Sequence, residues 1–220
     1  MGKNSKKYKA ISFDYDLTIA DTAKIIAQRL NLTLKTYGYP QRTFEEISPY
    51  IGAFGYEIIR SLTCEQNEER LMEMFQFYRG ECRQIIPDTS RLFVGVAEGA
   101  KILSGAGMRL AIVSLKPHSQ ITNPLRQYGV RSCFEIVIGG DDLSTRKPDP
   151  AGIEYVLQKF GVEKDEFLYV GDSLTDQQTA QNAGVDFGAM LTGFTTRQQF
   201  EVKGADFYFS NMEDLCEKLI

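Results

Sequence analysis

Two aspartates one residue apart, Asp14 and Asp16, stand where the apolar run Tyr8 to Phe13 ends. In a β-strand successive side chains alternate sides, so these two carboxylates share a side and can address one metal ion or one substrate. Neighbouring carboxylates are also driven to different pKa values, which leaves one as a nucleophile and the other holding a proton for a leaving group. Asp-x-Asp is equally an ordinary turn sequence, so its chemical meaning depends on partners elsewhere in the chain.

Three further polar clusters fall at or just beyond the ends of predicted strands. Ser114 closes the run Arg109 to Ser114; its neutral hydroxyl can donate to a phosphate oxygen, or it can cap a helix. Lys147, within Arg146-Lys147-Pro148-Asp149-Pro150, places a cation beside a stiffened turn, able to offset a phosphoryl group and an attacking carboxylate, although lysines are mostly solvated. Tyr169-Val170-Gly171-Asp172 ends another strand, and Asp176 lies about one turn above Asp172 if a helix starts near Ser173. Hard oxygen ligands of this kind suit Mg²⁺. Lys116 and His118 follow Ser114 closely enough to reach a substrate, while a loop histidine serves equally as an exposed or capping residue.

The elements that would position these groups follow from periodicity. Beyond the first strand, residues Thr22 to about Ile86 show helical spacing and no convincing strand: Ile25, Ile26, Leu30, Leu34 and Tyr37 mark one helix, Ile58, Ile59 and Leu62 a second, and Leu71, Met74, Phe75, Tyr78, Cys82 and Ile86 a long third that Pro87 ends. Thereafter strands (Arg109–Ser114, Glu135–Ile138, Phe167–Val170, Asp186–Met190, Asp206–Phe209) alternate with helices (Val94–Ser104, Ser119–Tyr128, Ala151–Phe160, Thr175–Ala183, Met212–Leu219). Such alternation predicts an α/β fold with a mostly parallel sheet covered on both faces, a three-layer Rossmann-like core. The expected organisation is a discontinuous core of residues 1–19 and 88–220, with residues 20–87 forming a small all-helical cap inserted after the first strand. Ligands of open α/β sheets bind beyond the carboxyl ends of the strands, where that cap would sit.

Composition narrows the function classes. The 220 residues carry a net charge of −4, 43% hydrophobic and 25% charged residues, ordinary for a globular protein and no electrostatic basis for nucleic-acid binding. No apolar run approaches the ~20 residues of a membrane span. The lysines at 3, 6, 7 and 9 are not followed by the apolar stretch of a secretory leader. Cys64, Cys82, Cys133 and Cys216 are scattered, with one histidine in the chain; reduced cytoplasmic thiols are expected rather than a zinc site. Gly105-Ala106-Gly107 lacks the third glycine and the strand-before, helix-after order of a dinucleotide fingerprint.

Taken together, the ordered motifs resemble the haloacid dehalogenase superfamily of phosphatases, particularly its phosphoglycolate phosphatase and β-phosphoglucomutase-like members with a helical cap. Asp14-Tyr15-Asp16-Leu17-Thr18 is similar to the first motif, Ser114 to the second, Lys147-Pro148 to the third, and Gly171-Asp172-Ser173 with Asp176 to the fourth. Phe93-Val94-Gly95-Val96 is similar to the segment that returns from cap to core. The resemblance implies that Asp14 is the nucleophile and forms an aspartyl-phosphate, that Asp16 is acid and then base with a pKa above that of Asp14, and that Thr18 and Ser114 orient phosphate oxygens. It further implies that Lys147 supplies countercharge, and that Mg²⁺ is held by Asp14, the Asp16 carbonyl and Asp172, with Asp176 as ligand or support. Lys116 is a further candidate phosphate contact, and Asp21 is read as structural support.

The expected substrate is a small phosphorylated metabolite, with no nucleic-acid or membrane partner. A phosphomutase is the enzymatic alternative. A catalytically weakened binding or regulatory module is the alternative of another class, resting on Leu17, where the first motif usually has glycine, and Leu115, where asparagine often follows the second-motif hydroxyl. Leu17 loses easy access to positive φ. Ile51 to Gly55 reads as a loop between cap helices that either leans into the site or merely connects. Arg42, Arg79 and Arg83 either bind a second anionic group or are solvated. Substrate identity and oligomeric state are not legible.

Overall fold

The computed structural model describes residues 8–87 and 89–220; Lys3, Lys6 and Lys7 of the basic run lie outside them. Within the described residues the chain divides into two compact units, one bounded by Ala20 and Leu92 on either side of an insertion, the other spanning Asp21–Arg91.

In chain order the elements are β1 (Ala10–Phe13), β2 (Ala20–Asp21), α1 (Ala23–Thr36), α2 (Phe44–Ile47), α3 (Gly55–Thr63), α4 (Glu68–Arg79), α5 (Glu81–Ile85), β3 (Arg91–Leu92), α6 (Val96–Gly105), β4 (Arg109–Val113), α7 (His118–Gln127), β5 (Phe134–Ile138), α8 (Ala151–Phe160), β6 (Phe167–Gly171), α9 (Leu174–Ala183), β7 (Asp186–Met190), α10 (Arg197–Val202), β8 (Phe207–Phe209) and α11 (Met212–Leu219).

Six strands form a parallel sheet in the order β5-β4-β1-β6-β7-β8. Its strands are apolar on both faces, and alternation sorts their side chains into two cores. Ile11, Phe13, Leu110, Ile112, Leu168 and Val170 pack with α6, α7 and α11. Ala10, Ala111, Val113, Phe167 and Tyr169 pack with α8, α9 and α10. The result is the expected helix–sheet–helix sandwich.

The insertion is helical, apart from the two-residue strands β2 and β3 at its ends and a bridge between Ile51 and Ala53. In α1, Ile25, Ile26, Leu30 and Leu34 are buried at helical spacing, and Gly38, at φ 80°, ends the run. The single long helix expected over Leu71 to Ile86 is instead two. Gly80, at φ −102° and ψ −95°, closes α4 and opens α5, a break that the periodic apolar residues alone do not reveal. Arg42, Arg79 and Arg83 are engaged locally. Arg42 donates to the Leu62 carbonyl, Arg79 lies over the Phe75 ring and Arg83 over the Tyr78 ring. No helix among the described residues is long and apolar enough to cross a membrane.

Candidate active site

Strands β4, β1 and β6 are parallel neighbours, so the first residue beyond each one emerges at the same edge: Ser114, Asp14 and Asp172. This edge flanks the point where the strand order reverses, the usual ligand crevice of an open α/β sheet. Two ladder-like bonds extend the sheet into the site, from Asp14 N to the Val170 carbonyl and from Ser114 N to the Ile138 carbonyl. The carboxylates therefore start from rigid backbone.

Lys147 arrives from the loop between β5 and α8, next to a cis Lys147–Pro148 bond. Its ammonium donates at 2.6 Å to Asp14 Oδ1 and at 2.6 Å to Asp176 Oδ1. All of these groups are buried, with Asp14 at 6%, Lys147 at 8%, Asp172 at 2% and Asp176 at 1% of full exposure. Ligand oxygens of Asp14, Asp172 and Asp176 lie within 4.8 Å of one another.

Helix α9 explains the placement of Asp176. Ser173 is its N-cap: the Ser173 hydroxyl accepts from Asp176 N, while Asp176 Oδ2 accepts from Ser173 N in return. Asp172 is thus freed from capping and faces the site. Gly171 is required beside it, because a Cβ there would sit 2.4 Å from the Asp176 side chain.

The remaining expected residues divide their contacts unequally. Thr18 donates to Asp172 Oδ1 at 2.9 Å. Lys116, buried, donates to Asp16 Oδ1 at 2.8 Å. The Ser114 hydroxyl accepts from Lys116 N at 3.3 Å, and α7 has Pro117 as its cap residue, so Ser114 closes the turn rather than capping the helix. His118 is not brought in; half-exposed, its ring pairs with Asp142 at 2.7 Å.

Leu17 does adopt the left-handed backbone that glycine would favour, at φ 59°, a conformation costing roughly 1–2 kcal/mol for an L-residue. Its N–H donates to the Ala20 carbonyl at 2.8 Å, its carbonyl accepts from the Thr192 hydroxyl, and its side chain is buried. Next to Thr192, Gly193 approaches the site so closely that a Cβ would fall 2.1 Å from Asp172 Oδ2. Sequence reasoning missed this Thr192-Gly193 loop, although it follows the carboxyl end of β7 and glycine there was a usable signal. It also missed the role open to Tyr169, a hydroxyl in an otherwise apolar strand.

Electrostatics set a demand. Burial, only partly offset by Lys147, pushes the Asp14 carboxyl up to about 7, with the Asp176 and Asp16 charges adding to the rise. Burial likewise holds Asp172 well above the ordinary range, with Asp176 and Asp14 adding to it. Lys147 is the mirror case: desolvation, which alone would lower it, is overcome by Asp14 and Asp176, and its pKa stands well above the usual value. With three carboxyl groups facing one ammonium, the buried cluster must either hold protons or take up a cation. Such a hard, all-oxygen donor set fits a divalent cation.

The haloacid dehalogenase-like hydrolase family model matches residues 11–190. The phosphoglycolate phosphatase of Nitrosospira multiformis is 34% identical over 181 residues, covering 80% of each chain. The pyrophosphatase PpaX of Listeria welshimeri is 30% identical, covering 95% of each. The crystal structure of a Bacteroides fragilis protein described as haloacid dehalogenase-like superposes with a TM-score of 0.90 at 31% identity, covering 95% of this chain and 100% of that one. With its sheet order and its edge of acidic residues, the chain belongs to the haloacid dehalogenase-like hydrolases, among the phosphatases of that family.

Proposed function

We propose that the chain is a Mg²⁺-dependent phosphomonoester hydrolase acting on a small phosphorylated metabolite of the phosphoglycolate type. The observation that carries this reading is the buried cluster of Asp14, Asp172 and Asp176 around Lys147. A nucleophilic Asp14 must be ionised, yet burial pushes its carboxyl upward. One ammonium does not suffice. Asp14, Asp172 and the Asp16 carbonyl would hold Mg²⁺, with Asp176 as ligand or support, and the ion supplies the charge that keeps Asp14 ionised and offsets phosphate repulsion.

Asp14 forms the new oxygen–phosphorus bond as the ester oxygen leaves, and Asp16 gives its proton to the departing alkoxide. Asp16 then takes a proton from water, whose oxygen attacks phosphorus, releasing inorganic phosphate and restoring Asp14. Thr18 and Ser114 orient phosphate oxygens, and Lys147 stands against the transferring group. Lys116, now on Asp16, is within reach of the same substrate. Residues 1–19 and 88–220 constitute the catalytic core in this reading, and the cap, residues 20–87, selects the substrate. Pyrophosphate is the second candidate substrate, favoured by the 30% identity to a pyrophosphatase over 95% of the chain.

The test is phosphate release from 2-phosphoglycolate, pyrophosphate and sugar monophosphates, with and without Mg²⁺, for the natural chain and Asp14→Asn. Mg²⁺-dependent release, reduced at least about a thousandfold in the folded variant, is expected. Undiminished turnover in Asp14→Asn would overturn the assignment, and isomerised sugar phosphate without net release would make the chain a mutase.

A further inference from the structure

We propose that Tyr169 is a positioning residue for Lys147, a role that rests on the phosphoryl-transfer reading above. Tyr169 lies on β6, fully buried in the apolar layer that β6 shares with α8 and α9. Its hydroxyl is the polar end of an otherwise apolar side chain, and three groups converge on it. It donates to the Val113 carbonyl at 2.9 Å, lies 3.3 Å from Lys147 Nζ and 3.2 Å from Asp176 Oδ1.

Donor and acceptor counting fixes what each contact can be. A phenol has one proton and accepts through its lone pairs, whereas an ammonium only donates. The proton serves the nearer Val113 carbonyl, so toward Lys147 the hydroxyl accepts, and Asp176 Oδ1 is joined to it only through the ammonium that both accept from. The three N–H groups of Lys147 then meet three acceptors: Asp14 Oδ1, Asp176 Oδ1 and the Tyr169 hydroxyl. Two of these are carboxylates, and Tyr169 is the neutral one.

The neutral acceptor matters because one of the two charged ones, Asp14, does not keep its charge through the reaction. When Asp14 becomes bonded to phosphorus its carboxylate charge is gone, and the pull on Lys147 from that side weakens. Asp176 and Tyr169 remain. Without the hydroxyl, Asp176 would be the one fixed side-chain acceptor left at full strength during the intermediate's lifetime, and the ammonium would be aimed less firmly at the phosphoryl oxygens it must offset. The same hydroxyl, by bonding Val113, ties β6 to β4 across the intervening β1. Val113 immediately precedes Ser114, so one oxygen anchors both the lysine and the strand end that carries the phosphate-orienting serine.

Tyr169→Phe keeps the ring and removes only the oxygen. For Mg²⁺-dependent hydrolysis of a phosphomonoester, kcat is expected to fall about tenfold, as losing a hydrogen bond to a charged group implies, with KM changed less than about twofold. The Lys147 ammonium, identified in ¹H–¹⁵N lysine spectra by its loss in Lys147→Arg, is expected as a slowly exchanging signal in the natural chain and an exchange-broadened one in Tyr169→Phe. Unchanged kcat with only a lower melting temperature would reduce Tyr169 to packing and overturn the proposal. A measurement on the natural chain covers the case in which the variant does not fold: a nuclear Overhauser contact between the Lys147 ammonium and the Tyr169 hydroxyl is expected, and its absence overturns the proposal. If the natural chain releases no phosphate from any substrate, the functional reading fails by itself, and the lysine signal still decides whether Tyr169 positions Lys147.

Discussion

At the carboxyl edge of the sheet Asp14, Asp172, Asp176 and Lys147 are buried together, whereas in the helical insertion Arg60 meets Glu68, and Arg42 meets Glu46, with side chains 36–68% exposed. Buried charges cost several kcal/mol each in desolvation, and a hydrophobic replacement is often no less stable. Exposed pairs are cheap and contribute little. The buried carboxylates therefore do not owe their place to stability, whereas the exposed pairs add solubility and local order. The insertion holds itself together differently, through the buried stripes of α1, α3 and α4 and through caps such as the reciprocal Thr43–Glu46 bonds.

Substitutions in the two regions should separate by orders of magnitude. Asp14→Asn stands at the upper end, with turnover lost and the fold kept. Gly193→Ala comes next: its Cβ would fall 2.1 Å from Asp172 Oδ2, so Asp172 must move, and the Mg²⁺ concentration for half-maximal activity should rise roughly 10–100-fold, as for other disturbed metal supports. Unchanged Mg²⁺ dependence would remove Asp172 from the proposed metal site.

The pH dependence of metal binding gives a smaller, signed effect. Asp14 is raised in the folded chain to about 7, above its unfolded value of about 3.9. Between those values the folded state binds more protons than the unfolded one, so this group's contribution to stability declines as pH rises through that window and is lowest above it. A cation that binds the ionised carboxylate relieves that cost and competes with the proton. The rise in melting temperature on adding Mg²⁺ should thus be larger at pH 8 than at pH 5.5; an equal rise would contradict the cluster as the binding site. At the low end, Arg60→Ala in the insertion should shift the melting temperature by no more than about 2 °C, and a larger fall would erase the contrast between the regions.

The site was legible in the sequence where chemistry coincides with a strand end. Asp14, Ser114 and Asp172 each follow an apolar run directly, and parallel neighbours in a sheet bring such positions together without further information. Contacts made by side chains from distant loops were not legible. Nothing local says that Thr18 reaches Asp172, that Lys116 reaches Asp16, or that Gly193 closes on Asp172. Leu17 shows a different limit: its type argued against positive φ, yet burial of its side chain and two backbone bonds hold it there. In the insertion the apolar period located α1, α3 and α4, but one glycine, Gly80, turned a long helix into two. Helix α10 went unread because its six residues carry one buried apolar side chain, Phe200, too few to define a period.

The most direct test of the account is to trap the enzyme during turnover of a phosphomonoester by acid quench, reduce the acyl phosphate with borohydride, and locate the modified residue by mass spectrometry. The account predicts conversion of Asp14 alone, dependent on Mg²⁺ and absent in Asp14→Asn. Modification of a different side chain while phosphate is being released would contradict it.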